Sequence, residues 1–299
     1  MRSTTRIRWF GVGVIAALAI SVAIAQRLRP SDVEKLPSKA ADTRIPYGQD
    51  ERQFGELRLP KGSGPFPLAV VIHGGCWISR FATLQSTAAL ADALRDAGIA
   101  TWNIEYRRAD HPGGGWPGTF TDVADGTDIV RQIAKQHPID VSRVVTVGHS
   151  AGAHLALWSA GRKRLPKGSP LYREDPLPLR AAIALGGPGD LQEFYGRAKN
   201  ICGSNVIEQL MGGSPETVPD RYAQGSPVQL LPAGVPQVLI VGEGDGVMPE
   251  AARRAYASAA RRAGDSVEVV EVPGGHFEVI APTSEAWPAV RDKVLSIVK

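Results

Sequence analysis

Ser150 is the residue whose surroundings could do chemistry. It sits in Gly148-His149-Ser150-Ala151-Gly152, between the β-branched run 144–147 and an Ala/Leu-rich stretch over 151–158. A serine hydroxyl is a weak nucleophile at neutral pH and needs a base beside it. It must also project from the backbone far enough for a carbonyl carbon to reach it. A sharp strand-to-helix turn provides that projection, and Gly148 and Gly152 lack the Cβ atoms that would collide there. The first N–H groups of the following helix have no intrahelical acceptor, so the N–H of Ala151 can donate to an oxyanion. The pattern by itself also fits an ordinary tight β–α turn with a surface serine. The rest of the chain must supply a base, an acid and a second oxyanion donor.

The chain has six histidines. His73 heads a Gly-Gly loop, His111 lies among glycines and prolines, and His137 ends a helix before Pro138. His149 is inside the elbow, and His154 falls one helical turn after Ser150, beneath the site. His276 alone follows the last β-branched run, 267–272, with Gly274-Gly275 before it and Phe277 after it. It is the expected base. The acid should also lie at a strand end, and Asp245 follows the apolar run 237–241 through Gly242-Glu243-Gly244. Glu243 and Asp190 are the competing carboxylates. A second oxyanion donor is expected from the loop His73-Gly74-Gly75-Cys76-Trp77 after the apolar run 67–72, through backbone N–H groups at Gly74, Gly75 and Cys76. Trp77, Trp116 and Phe277 are candidates to line an aryl or acyl pocket.

The elements that must position these residues alternate. Strands are expected at 54–59, 67–72, 99–106, 144–147, 181–185, 237–241 and 267–272. Helices are expected at 83–97, 120–136, 150–161, 249–263 and 284–298. Alternation of this kind predicts an α/β fold with a mostly parallel sheet and helices on both faces. Ligands then gather at the carboxyl ends of the strands, where every candidate above falls. Residues 188–230 have helical pieces and no clear strand, and read as a small lid insertion. Residues 26–48 are polar and proline-containing and read as a linker or arm before a single domain at 49–299.

The chain has 299 residues, 43% hydrophobic and 21% charged, enough for one large core. The net charge is +4, but Arg2, Arg6 and Arg8 account for most of it, and the remaining chain has 31 basic against 30 acidic residues. That balance gives no footprint for nucleic acid. Residues 1–25 combine those arginines with an apolar run ending Ala23-Ile24-Ala25, the pattern of an export signal, either cleaved or retained as a membrane anchor. The domain is then expected outside the cytoplasm, periplasmic or extracellular, with attachment to the inner membrane if the segment stays. Cys76 and Cys202 form no C-x-x-C motif. Export permits a disulfide between them across 126 positions, and two buried thiols are the alternative.

Taken together, His73-Gly74-Gly75-x-Trp77, the elbow through Ala153-His154, and the late Asp245 and His276 resemble the α/β-hydrolase superfamily. Within it the chain resembles the esterase/lipase branch that includes hormone-sensitive-lipase-like enzymes and kynurenine formamidase (arylformamidase). Glu105-Tyr106-Arg107-Arg108, with Pro117 and Asp122 further on, is similar to the Tyr-Arg segment of that branch. The resemblance covers about residues 50–298. It implies an α/β-hydrolase fold and a triad of Ser150, Asp245 and His276 working through an acyl-enzyme on a small carboxylic ester, with no metal or cofactor. N-formylkynurenine-type amides are the second substrate class it implies. A binding protein on a hydrolase fold is a third reading, and the presence of all three triad members argues against it.

Overall fold

The computed structural model describes residues 27–299. The segment 1–25, read above as an export signal or anchor, lies outside them. Among the described residues no helix is long and apolar enough to cross a membrane.

The chain begins with a short helix α1 (Pro30–Val33) and an edge strand β1 (Thr43–Pro46). Next come β2 (Phe54–Arg58), β3 (Phe66–Ile72), α2 (Ala88–Asp96) and β4 (Ala100–Ile104). Helices α3 (Gly118–Asp128) and α4 (Val130–Ile133) lead into β5 (Ile139–His149), α5 (Ala151–Gly161) and β6 (Ala181–Leu185). The insertion that follows is helical: α6 (Leu191–Cys202), α7 (Val206–Met211) and α8 (Pro219–Gly225). The chain closes with β7 (Gln237–Gly242), α9 (Glu250–Arg262), β8 (Val267–Val272) and α10 (Trp287–Val298). The sheet has eight strands in the order β1-β2-β4-β3-β5-β6-β7-β8. β1 and β2 run antiparallel to their neighbours, and the strands from β4 through β8 are parallel.

The inner strands are apolar throughout because both sheet faces are covered. Successive side chains point to opposite faces, so Leu68, Val70 and Ile72 join the core beneath α3, α5 and α9. Ala69 and Val71 join the opposite core, beneath α2 and α10. This is an α/β-hydrolase fold. Two local readings change. The helix expected over 120–136 divides at Ile129 into α3 and α4, where Gly126-Thr127-Asp128 are poor helix formers and Trp102 Nε1 donates to the Gly126 carbonyl. The arm at 26–48 is not free of the domain, since β1 pairs with β2 and displaces it from the sheet edge. Three of β1's four residues are exposed, so no apolar alternation marks it as a strand.

Candidate active site

Register brings the candidate residues together. Ile72 at the end of β3 lies opposite Gly148 of β5, and His149 lies opposite Leu185 at the end of β6. Ser150 follows β5 directly, with φ 54° and ψ −118°, a left-handed conformation that a non-glycine residue adopts only at a cost of about 1–2 kcal/mol. The strain is held from both sides. Ser150 N–H donates to the Leu185 carbonyl at 2.9 Å, while α5 begins at Ala151. A Cβ on Gly148 would stand 2.0 Å from the Gly152 carbonyl oxygen, and one on Gly152 would stand 2.1 Å from that of Ile72. The elbow can be this tight only with glycine at both positions.

His276 Nδ1 donates to Asp245 Oδ2 at 2.9 Å, and that side of Asp245 is fully buried. The other carboxylate oxygen accepts the N–H of Val247 at 2.7 Å and of Met248 at 3.3 Å. Burial pushes the Asp245 carboxyl up, but the His276 hydrogen bond and charge and the Val247 N–H outweigh it and hold it below its ordinary value. His149 Nε2 donates to the carbonyl of His276 at 2.9 Å, with the two rings 4.6 Å apart. Burial first, and then the neighbouring His276, push His149 down to about 3, so it stays neutral. The competing carboxylates have other tasks. Asp190 caps α6 by accepting the N–H groups of Gln192 and Glu193, and Glu243 points to solvent.

The loop at 73–77 turns through consecutive left-handed residues: Gly75 at φ 103°, Cys76 at 50° and Trp77 at 55°. A buried network holds it. Tyr106 Oη donates to the His73 carbonyl at 2.9 Å, and the two rings stack at 4.4 Å. His73 Nε2 meets Glu105 Oε1 at 2.9 Å, and Arg108 pairs with the same carboxylate at 3.0 Å. Burial pushes Glu105 up, yet His73 and Arg108 outweigh it and bring the carboxyl down to about 2. Arg107 forms a two-pronged pair with Asp122, at 2.9 and 2.7 Å. The Glu105-Tyr106-Arg107-Arg108 segment thus braces the loop at 73–77 from behind. Cys76 is bonded to Cys202 at the end of α6, which ties the loop to the helical insertion.

These loops enclose a cleft of about 530 Å³, within the size range of small-molecule sites. Ser150, His276, Gly74, Gly75 and Cys76 line it, together with Phe277. Trp77 and Trp116 do not. Trp77 is 1% exposed and packs edge-on against His154 and Phe194, because its left-handed backbone turns the ring into the core. Trp116 packs against Phe120. His154 is a core residue, its Nε2 donating to the Gly225 carbonyl at 2.8 Å. Sequence reasoning misses two contributors. Gly186, after β6, comes so close to the Asp245–His276 pair that a Cβ there would lie 2.5 Å from Asp245 Oδ2. Pro30, Ser31 and Glu34 of the arm line the cleft. The Gly186-Gly187 doublet is a visible signal, and the arm carries none.

The BD-FAE family profile matches residues 56–258, more than half of the chain. The chain belongs to the BD-FAE family. That places it in the esterase branch of the α/β-hydrolase superfamily. Esterase LipC of Mycobacterium tuberculosis is 25% identical over 81% of the chain, and a probable isoprenylcysteine alpha-carbonyl methylesterase of Arabidopsis thaliana, ICMEL1, is 27% identical over 77%. The chain spans 62% and 49% of the lengths of these two relatives. The kynurenine formamidase of Danio rerio is 31% identical over 38% of the chain and 36% of its own length. A truncated carbohydrate esterase from gut microbiota superposes with a TM-score of 0.72, at 20% identity over 87% of this chain and 97% of that one. Esterase B of Lactobacillus rhamnosis, with a tributyrin phosphonate inhibitor, also gives 0.72, at 18% identity over 87% of each chain. At these identities the two structures share the fold.

Proposed function

We propose that this BD-FAE member is a serine hydrolase of small carboxylic esters. One observation carries the reading. Ser150, on its strained elbow, opens into the same cleft as His276, whose far nitrogen is held by the buried Asp245. With Nδ1–H committed to Asp245, His276 presents Nε2 as the nitrogen left to accept a proton. Ser150 Oγ adds to the ester carbonyl carbon as His276 Nε2 takes the serine proton. The carbonyl oxygen becomes an oxyanion facing the N–H of Ala151 and the N–H groups of loop 74–76, each worth about 3 kcal/mol in such sites. Collapse breaks the bond to the alcohol oxygen, which leaves with the proton from His276, and Ser150 carries the acyl group. Water then adds to the acyl carbon, giving its proton to His276. The carboxylic acid departs as the proton returns to Ser150.

Hydrolysis of p-nitrophenyl esters from acetate to laurate tests this, beside N-formylkynurenine and with Ser150→Ala as control. Ester turnover should fall by about 10⁵-fold or more in the variant. Asp245→Asn, which leaves the histidine in the wrong tautomer, should cost about 10⁴-fold in kcat. Preferential formamide turnover, toward which the match to the Danio rerio formamidase points, would replace the ester reading with the amide one. Turnover unchanged in Ser150→Ala would remove Ser150 as nucleophile.

A further inference from the structure

The segment before the hydrolase core is wired into the site. Arg27 Nη1 donates to the carbonyl of Gly244 at 2.8 Å, and Leu28 N–H donates to Glu278 Oε1 at 2.6 Å. The other oxygen of Glu278 accepts the N–H of Gly275 at 2.7 Å. Gly244 precedes Asp245 and Gly275 precedes His276, so the arm is bonded into the loops that carry both the acid and the base. Its stem covers the second loop, since a Cβ on Gly275 would meet Arg27 Cδ at 3.2 Å. Three residues on, Pro30 starts α1, and Val33 is 1% exposed in the core that also holds Val279 and Ile280. Fixed at both ends in this way, Pro30, Ser31 and Glu34 line the cleft that Ser150 opens into.

The chemistry of the cleft says what the wall meets. Facing it are Phe81, Ile201, Val247, Phe277 and Ile280, all apolar and from four other segments of the chain. Its charged side chains beyond the triad, Glu34 and Arg80, are exposed. The neighbouring His149 is neutral. An apolar chain sheds its water against such walls, while the charged side chains at the cleft, Glu34 and Arg80, stay in solvent.

We propose that residues 27–34 are a substrate-binding wall of this site, and that they set how long an uncharged, apolar chain of the ester the cleft accepts. The inference rests on the ester-hydrolase reading for its ligand and adds the residues that set chain length. Ser31 is exposed, lines the cleft and contributes to no core, so Ser31→Trp should narrow the cleft and leave the fold intact, which a melting curve checks.

The test compares Ser31→Trp with the parent protein on two series, p-nitrophenyl acetate against octanoate and ethyl acetate against octyl acetate. Within each protein the short member of each series is the reference against which the long one is read. For an eight-carbon chain kcat/KM should fall at least about 10-fold, carried by KM. A loss confined to octanoate puts the wall on the acyl side, and a loss confined to octyl acetate puts it on the alcohol side. Profiles parallel to the parent in both series would overturn the proposal. A readout free of turnover separates this failure from failure of the enzymatic reading. 8-Bromooctanamide or 8-bromooctanol, both uncharged, should quench the fluorescence of the introduced indole above the quenching seen in the parent. Equal quenching in both proteins would overturn the wall even if no ester were hydrolysed.

Discussion

At the scale of single residues, Gly186 governs how Asp245 and His276 meet. Its φ of 62°, and the mere 2.5 Å that would separate an added Cβ from Asp245 Oδ2, leave no space for alanine. Gly186→Ala should therefore push the carboxylate off His276 Nδ1. The expected result is a kcat at least about 10-fold lower, with KM changed far less, because the damage reaches proton transfer and spares binding. Steady-state kinetics on a short ester, with a melting curve to show that the variant folds, check it. The buried histidines make a second prediction. Burial brings His154 from its ordinary 6.5 down to about 4, and His149 behaves the same way more strongly. Below pH 6.5 the unfolded chain takes up protons that the folded chain refuses, so stability falls on acidification. Glu105 extends the decline, since its unfolded carboxyl protonates from its ordinary 4.5 while the folded one holds out to about 2. Melting temperature should drop steadily from pH 7 to pH 4. His154→Gln, which can still donate to the Gly225 carbonyl, should flatten that drop between 6.5 and 4; an unchanged slope would contradict the assignment.

At the scale of elements, the loops of the candidate site follow from the sheet. Strands β3, β5, β6, β7 and β8 end side by side, and each delivers one part of the site. This much is legible in the sequence, because strands buried on both faces are continuous apolar runs and the glycine-rich loops after them stand out. The candidates for base and acid stand out in the same way, His276 after the last run and Asp245, with Glu243 beside it, after the run before. Other parts are not legible for physical reasons. Gly186 touches Asp245 only because β6 and β7 are neighbours, and spacing along the chain does not reveal that. Trp77 has the composition of a pocket residue, but the left-handed turn at Cys76 and Trp77 aims it inward. The arm is polar in sequence and gains its place from backbone hydrogen bonds. The Cys76–Cys202 bond joins the loop at 74–77 to α6 and closes a span of 126 residues. Cys76→Ser with Cys202→Ser should cost about 2–5 kcal/mol of stability. If the N–H groups of 74–76 serve the oxyanion as proposed, it should also lower kcat about 10-fold, since donors that are no longer held in place lose part of their worth. Chemical denaturation and ester kinetics on the double variant measure both, and wild-type values in each would show that the tie is idle.

At the scale of the whole molecule, the site draws on residues from Arg27 to Ile280, nearly the full described chain. Ser150 follows the central strand, Asp245 and His276 follow the strands at one edge, and Pro30, Ser31 and Glu34 of the arm line the cleft. A BD-FAE fold thus brings Ser150, His276 and the glycine loop at 74–76 to one cleft, with Asp245 bonded behind His276. The claim on which the rest depends is that Ser150 becomes acylated. The most direct measurement is mass spectrometry of the protein quenched in acid during turnover of p-nitrophenyl butyrate, after tryptic digestion. The butyryl group should appear on the peptide covering residues 144–162, and should vanish in Ser150→Ala. Rapid ester turnover with no acylated peptide, or an adduct that persists in Ser150→Ala, would contradict it.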